Sequence, residues 1–167
     1  MRIMKAATIP ILAMMLSAAC AVPSYSIGVF AQWQDSKDAD SGYGFGVKHD
    51  FSIIPIISVE ARASWLMYSG SGDEGDLDMF PLEAFACVKS GMLYGGVGVG
   101  YYILSGDNSP KDSLGGFAAM GIDFNILGLG AFGELRYLYL EPDLDNEKGG
   151  TVDMSGIGAN VGVTLPF

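Results

Sequence analysis

Two motifs in this chain repeat one spacing, Glu60-x-Arg62 and Glu134-x-Arg136. In extended chain, residues two apart project from the same face, so each acid stands beside its base. Lys48, Asp50, Glu83, Lys89 and Asp123 fall at matching alternate positions of neighbouring segments. The nine residues comprise five acids and four bases. Two chemistries are open to them: a closed lattice of ion pairs and charge-assisted hydrogen bonds, or the lining of a narrow polar pore or gate. Many glycines share the same faces and favour the pore by removing bulk. Phe30, Phe85, Tyr94, Tyr102, Phe117 and Phe132 share them too and favour the lattice by filling the space.

A second group of acids lies between the alternating segments. Asp73, Glu74, Asp76 and Asp78 offer hard carboxylate oxygens of the kind that bind divalent cations. Their spacing is not that of an ordered calcium loop, so they remain weak metal candidates, and no other feature calls for a metal or a cofactor. An enzyme needs a nucleophile beside a base. His49 is the only histidine, and Ser58 and Ser64 fall on the opposite face from it. The glycines from Gly95 to Gly100 follow a period of two, not the strand-to-helix turn of a phosphate loop. Nine Lys and Arg against nineteen Asp and Glu, for a net charge of −10, exclude a nucleic-acid binder. With apolar residues at 50% the chain is also not a disordered acidic tail.

The elements that position these residues are strands. Eight segments alternate with period two: 25–33, 42–51, 56–68, 79–89, 93–104, 114–124, 129–140 and 155–167. The last, SGIGANVGVTLPF, is the most regular, with Ile157, Ala159, Val161, Val163, Leu165 and Phe167 on one face. Pro81 lacks a ladder donor, which predicts a strand start or a local bulge there. Links after segments one, three, five and seven are long and polar, and those after two, four and six are short. This asymmetry, with segments of about ten residues, is that of an up-and-down transmembrane barrel with long outer loops and short inner turns. The outer loops hold fourteen acids and three lysines.

The outward aromatics sort into two belts. Trp33, Tyr43, Trp65, Phe80, Tyr101, Tyr137 and Tyr139 fall at the outer boundary, and Tyr25, Phe51, Phe124 and Phe167 at the inner one. Aromatic rings seek both membrane interfaces, whereas a soluble sandwich has no reason to sort them. Hydrocarbon tolerates no open sheet edge, so the last strand must pair with the first. His49 falls on the lipid side near the inner belt, where an interfacial ring is the simplest role. Cys87 sits inside an apolar alternating run and reads as a small buried residue.

The basic head (Arg2, Lys5), the apolar run 6–16 and the small residues after it form a secretory signal peptide. Cleavage after Ala21 divides the chain into a leader, 1–21, and a barrel domain, 22–167. A rival cut before Cys20 would leave a lipidated cysteine. With leader, eight strands, alternating loops and a terminal Phe167, the chain resembles the small outer-membrane β-barrel proteins of the OmpA/OmpX type. The resemblance implies an all-β, eight-stranded antiparallel barrel in a bacterial outer membrane, without a periplasmic domain after it. It implies contact with outer-membrane lipid and lipopolysaccharide, and assembly by the barrel assembly machinery through the C-terminal strand. Barrel enzymes that deacylate lipid A carry a His-x-Ser, and His49-Asp50-Phe51 does not match it. The expected role is therefore non-catalytic: a structural or surface barrel whose acidic loops meet an extracellular protein or other surface ligand. The alternatives are a small-solute or ion pore through the charged lumen, a lipid-modifying enzyme, and a soluble periplasmic barrel that binds a small ligand.

Overall fold

The computed structural model describes residues 25–39, 41–68, 77–106, 111–126, 128–143 and 151–166. The expected leader and Phe167 lie outside them. Eight strands follow in order: β1 (Tyr25–Ser36), β2 (Gly42–Ile54), β3 (Ile57–Tyr68), β4 (Leu77–Ser90), β5 (Leu93–Gly106), β6 (Ser113–Ile126), β7 (Leu129–Tyr139) and β8 (Gly156–Pro166). Each pairs antiparallel with its neighbours, and β8 pairs with β1, so the sheet is a closed barrel.

The register sets the shape. Paired residues lead from Tyr25 through Phe51, Val59, Ala86, Val97, Ala118, Tyr137 and Ile157 back to Asp35 on β1. One circuit therefore climbs ten residues along the strand. Such a stagger tilts the strands by roughly 35–45° and leaves an eight-stranded interior that side chains can fill. It also means that side chains at one depth come from different positions of the ladder.

Four strands, β1, β4, β5 and β6, run further outward than the alternation predicts. β1 continues through Gln34, Asp35 and Ser36, which pair with Gly158, Ile157 and Gly156 of β8. The apolar pattern stops where lipid stops, but the hydrogen-bond ladder continues wherever a partner strand is present. Past the strand ends, residues 140–143 and 151–155 still pair, through Met154 N to Leu140 O at 2.9 Å, Val152 N to Pro142 O at 3.0 Å and a bridge between Asp143 and Thr151.

Pro81 neither starts β4 nor makes a bulge. It is the fifth residue of the strand and stays paired with Tyr102 of β5. On the other side the ladder to β3 runs from Ala63↔Leu82 to Leu66↔Met79 without a change of register, skipping the two residues between. The missing N–H thus costs hydrogen bonding to one neighbour only. The bulge falls instead at the β2 end, where the register shifts between Ser52 and Ile54. The inner turns at Gly91 (φ 63°) and Gly128 (φ 85°) take the left-handed conformation that glycine adopts freely.

Candidate functional site: the barrel lumen

The lumen is built in three levels. At its centre Arg62 donates from Nε and Nη2 to Glu60 Oε2 at 3.1 and 2.8 Å, and from Nη1 and Nη2 to the two oxygens of Glu134 at 2.7 Å each. The Arg62–Glu134 contact is bidentate, the strongest geometry an ion pair has. Glu134 also accepts from Tyr94 Oη at 3.0 Å and Asn160 Nδ2 at 2.9 Å. Lys48 Nζ reaches Glu60 at 3.4 Å and sits 3.8 Å from the centre of the Phe132 ring. Slightly further out, Arg136 holds Glu83 through two bonds of 3.0 and 2.5 Å, and Tyr102 Oη donates to Glu83 at 2.8 Å. Both guanidinium groups lie against rings, Arg62 over Phe85 at 4.4 Å and Arg136 over Phe117 at 4.3 Å. All of these side chains are buried. Burying charge costs several kcal/mol per ion unless each lone pair and N–H finds a partner, and here most do.

The inner level is open. Lys89 Nζ meets Asp50 Oδ2 at 2.6 Å beside a cavity of about 290 Å³, which Asp123, Asn125 and Thr164 also line. Asp123 stands apart from the central lattice, at this mouth. Near Asp50, Cys87 Sγ lies 3.0 Å from Ser58 Oγ. The outer level is apolar except beside the outer ends of β1 and β8, where Gln34, Ser36 and Ser155 are also buried. Leu66, Met79, Leu138, Leu140 and Met154 are each at most 1% exposed and form one cluster with Tyr68 and Leu104. The sequence reading missed this layer, although its signal was present: Leu66 and Tyr68, like Leu138 and Leu140, continue the face of the Glu-x-Arg pairs.

The inward glycines do not open the lumen. A Cβ on Gly98 would lie 2.3 Å from the Phe117 ring, on Gly46 2.5 Å from Phe30, on Gly121 2.6 Å from Tyr94 and on Gly42 2.7 Å from Tyr68. Each glycine makes the hollow into which an aromatic ring packs. The two features that argued against each other in the sequence are halves of one packing solution.

On the lipid face, Tyr43, Phe80, Tyr101, Tyr137 and Tyr139 are exposed, and Trp33 and Trp65 are half-buried. The register brings these seven to one depth near the outer strand ends. Phe45 joins them, edge-on to Trp65 at 5.7 Å, and Trp65 stacks on Phe80 at 5.7 Å. Tyr25, Phe51 and Phe124 lie at the inner ends. His49 stacks on Tyr25 and meets Phe51 edge-on at 4.2 Å. Val29, Val47, Leu82, Val97, Val99, Met120, Leu135 and Val161 form an exposed apolar belt between the two rings of aromatics. A closed barrel with such a belt satisfies its backbone internally and suits hydrocarbon.

At the rim, Asp78 accepts from the Trp65 indole N–H at 3.2 Å, while Asp73, Glu74 and Asp76 lie outside the described residues. Among the described residues no group of three or more acid, Cys or His side chains is arranged to hold a metal. The first and last outer connections are clasped together. Lys37 Nζ bonds Asp153 Oδ2 at 2.6 Å, and Asp153 N donates to Asp38 Oδ2 at 2.9 Å. The hydrogen bond from Lys37, with those from Ser155, holds the Asp153 carboxyl down at about 2, and Asp153 in turn raises Lys37.

No protein-family model matches the sequence, and no curated protein matches it significantly. Solved structures do match in fold. The outer membrane protein OprG of Pseudomonas aeruginosa has a TM-score of 0.68 at 17% identity, covering 87% of this chain and 96% of its own. Neisserial surface protein A has a TM-score of 0.69 at 13% identity, covering 86% and 97%. Ail of Yersinia pestis, solved with the heparin analogue sucrose octasulfate, has a TM-score of 0.50 at 18% identity, covering 87% and 97%. By architecture this chain is an eight-stranded transmembrane β-barrel with the fold of the small bacterial outer-membrane proteins.

Proposed function

We propose that the protein is a non-catalytic outer-membrane barrel that acts through its acidic outer rim, with the lumen serving as a rigid filling. The observation that carries this reading is the cross-section: ion pairs and rings fill the centre, and an apolar cluster lies over them on the outer side. The leader over 1–21 would direct export, and the C-terminal strand would engage the barrel assembly machinery. The loop acids favour partners that carry positive charge or bring divalent cations, including cation-bridged lipopolysaccharide. A sulfated ligand of the kind seen with Ail would meet repulsion from a loop net charge of −11. Function does not follow from fold, and the rim chemistry is what favours one partner class over another.

A second reading, a narrow ion pore, is favoured by the polar cavity at the inner mouth, which already reaches the Asp50–Lys89 pair. One experiment separates the two. The chain is folded into liposomes, its folding is checked by heat-dependent gel mobility, and conductance is recorded across a planar bilayer. A silent bilayer around a folded barrel is expected. Reproducible current steps that change in Arg62→Ala or Arg136→Ala would make the lumen the working part and overturn the rim reading.

A further inference from the structure

We propose that the lumen wall formed by β7, β8, β1 and β3 binds a file of internal water molecules that leads from the outer rim down to the Arg136 guanidinium. Among the described residues, six buried side-chain atoms on this wall have no hydrogen-bond partner: Ser36 Oγ, Tyr68 Oη, Gln34 Oε1, Arg136 Nε, Gln32 Oε1 and Asn160 Oδ1. They fall into three tiers. At the top lie the Ser36 and Tyr68 hydroxyls. In the middle, Gln34 Oε1 and the Arg136 stem meet over the same bare backbone, 2.5 and 3.1 Å from where a Cβ of Gly158 would lie. Below, Gln32 and Asn160 are direct partners in the β1–β8 register.

Their chemistry selects the ligand. Three of the six are amide oxygens, which only accept, and only one, Arg136 Nε, is an obligate donor. The two hydroxyls bring one donor each. The three acceptors stand in two tiers, Gln34 in the middle and Gln32 with Asn160 below, and one obligate donor is too few for them. Turning the Asn160 amide around would set its oxygen against the Glu134 carboxylate that now accepts from Nδ2. An anion would supply no donor. A metal cation would sit beside a guanidinium. Water brings two donors and two acceptors in the smallest volume, and buried water commonly bridges such groups. Left bare, six such atoms would together rival the net stability of a whole domain. The opposite wall is the contrast: Tyr102 and Tyr94, as buried as Tyr68, give their hydroxyl protons to Glu83 and Glu134. Ser36 stands at the edge of exposure, at 9%, and marks the entry.

The test is hydroxyl-radical footprinting of the protein in lipid nanodiscs, because radicals formed from bound water label side chains that bulk reagents cannot reach. Tyr68 is expected to be modified several-fold faster than Tyr102, although both are buried. Gln34→Leu, which removes the middle acceptor, is expected to bring Tyr68 down towards the Tyr102 rate. Equal slow rates at the two tyrosines in the wild-type chain would overturn the proposal, and that comparison needs no variant to fold. Acylation of Tyr68 by N-acetylimidazole, a reagent too large for a file of single waters, would also overturn it by showing an opening to bulk solvent.

Discussion

The acids of the lumen and the acids of the rim belong to one chain and obey opposite rules. Four of the five lumen acids are bonded to a base, and Glu60, Glu134 and Glu83 have tyrosine, asparagine or guanidinium groups on their oxygens. At the rim, fourteen acids face three lysines, and the Lys37–Asp153 pair is solvent-exposed, at 59% and 26%. Inside, an uncompensated charge would cost several kcal/mol, so the sequence matches each buried acid with a base. Outside, water does the compensating, and excess acid costs little. Charge that stability does not require is available for recognition, so the unmatched rim is the better candidate for contact with other molecules.

Breaking the central lattice is the most severe test of this contrast. Arg62→Ala would strand Glu60 and Glu134 and is expected to destabilise the barrel by about 3–5 kcal/mol. The measurement is the shift of the urea unfolding midpoint in lipid, against Asp112→Asn at the rim as control. Equal small shifts would mean that the lumen is hydrated enough to ignore the loss. The packing of the lumen can be tested next. Gly98→Val would push a methyl-bearing Cβ into the Phe117 ring and is expected to cost about 1–3 kcal/mol, partly recovered when Phe117→Leu is added. Additive losses would show that ring and glycine are not packed as one unit.

The smallest effect belongs to the rim clasp. The Asp153 carboxyl is depressed in the folded chain to about 2, so the clasp's contribution is full above the ordinary carboxylate range and fades as pH falls through that range towards 2. Lys37 is raised, so the same contact weakens again only above the usual lysine range. Asp153→Asn is expected to speed protease cutting of the outer connections while leaving the heat-dependent mobility of the barrel unchanged. A change in that mobility would mean that the clasp supports the barrel itself.

Several features could be read directly from the residues. The strand count followed from period two, closure from the intolerance of hydrocarbon for open edges, and the inward direction of the Glu-x-Arg pairs from their spacing. What was not legible depends on which strand stands beside which depth of another. The outer apolar layer went unseen because Leu66 and Leu138 look like ordinary strand residues until the ten-residue stagger sets them at one depth with Met79 and Met154. Pro81 looked like a boundary because its effect depends on which neighbour its nitrogen faces. The bonds of Tyr94, Tyr102 and Asn160 to lumen acids join residues 19 to 40 positions apart.

By itself the sequence determined the alternation: which side chains meet lipid, which point inward, and that the inward set is almost charge-neutral. Backbone stereochemistry makes that local, since successive residues of an extended chain must face opposite sides. Only the tertiary structure decided which acid meets which base, which ring fills which glycine's hollow, and which buried polar atoms find no partner among the described residues. Those outcomes depend on the shear of a closed sheet, which no single strand carries.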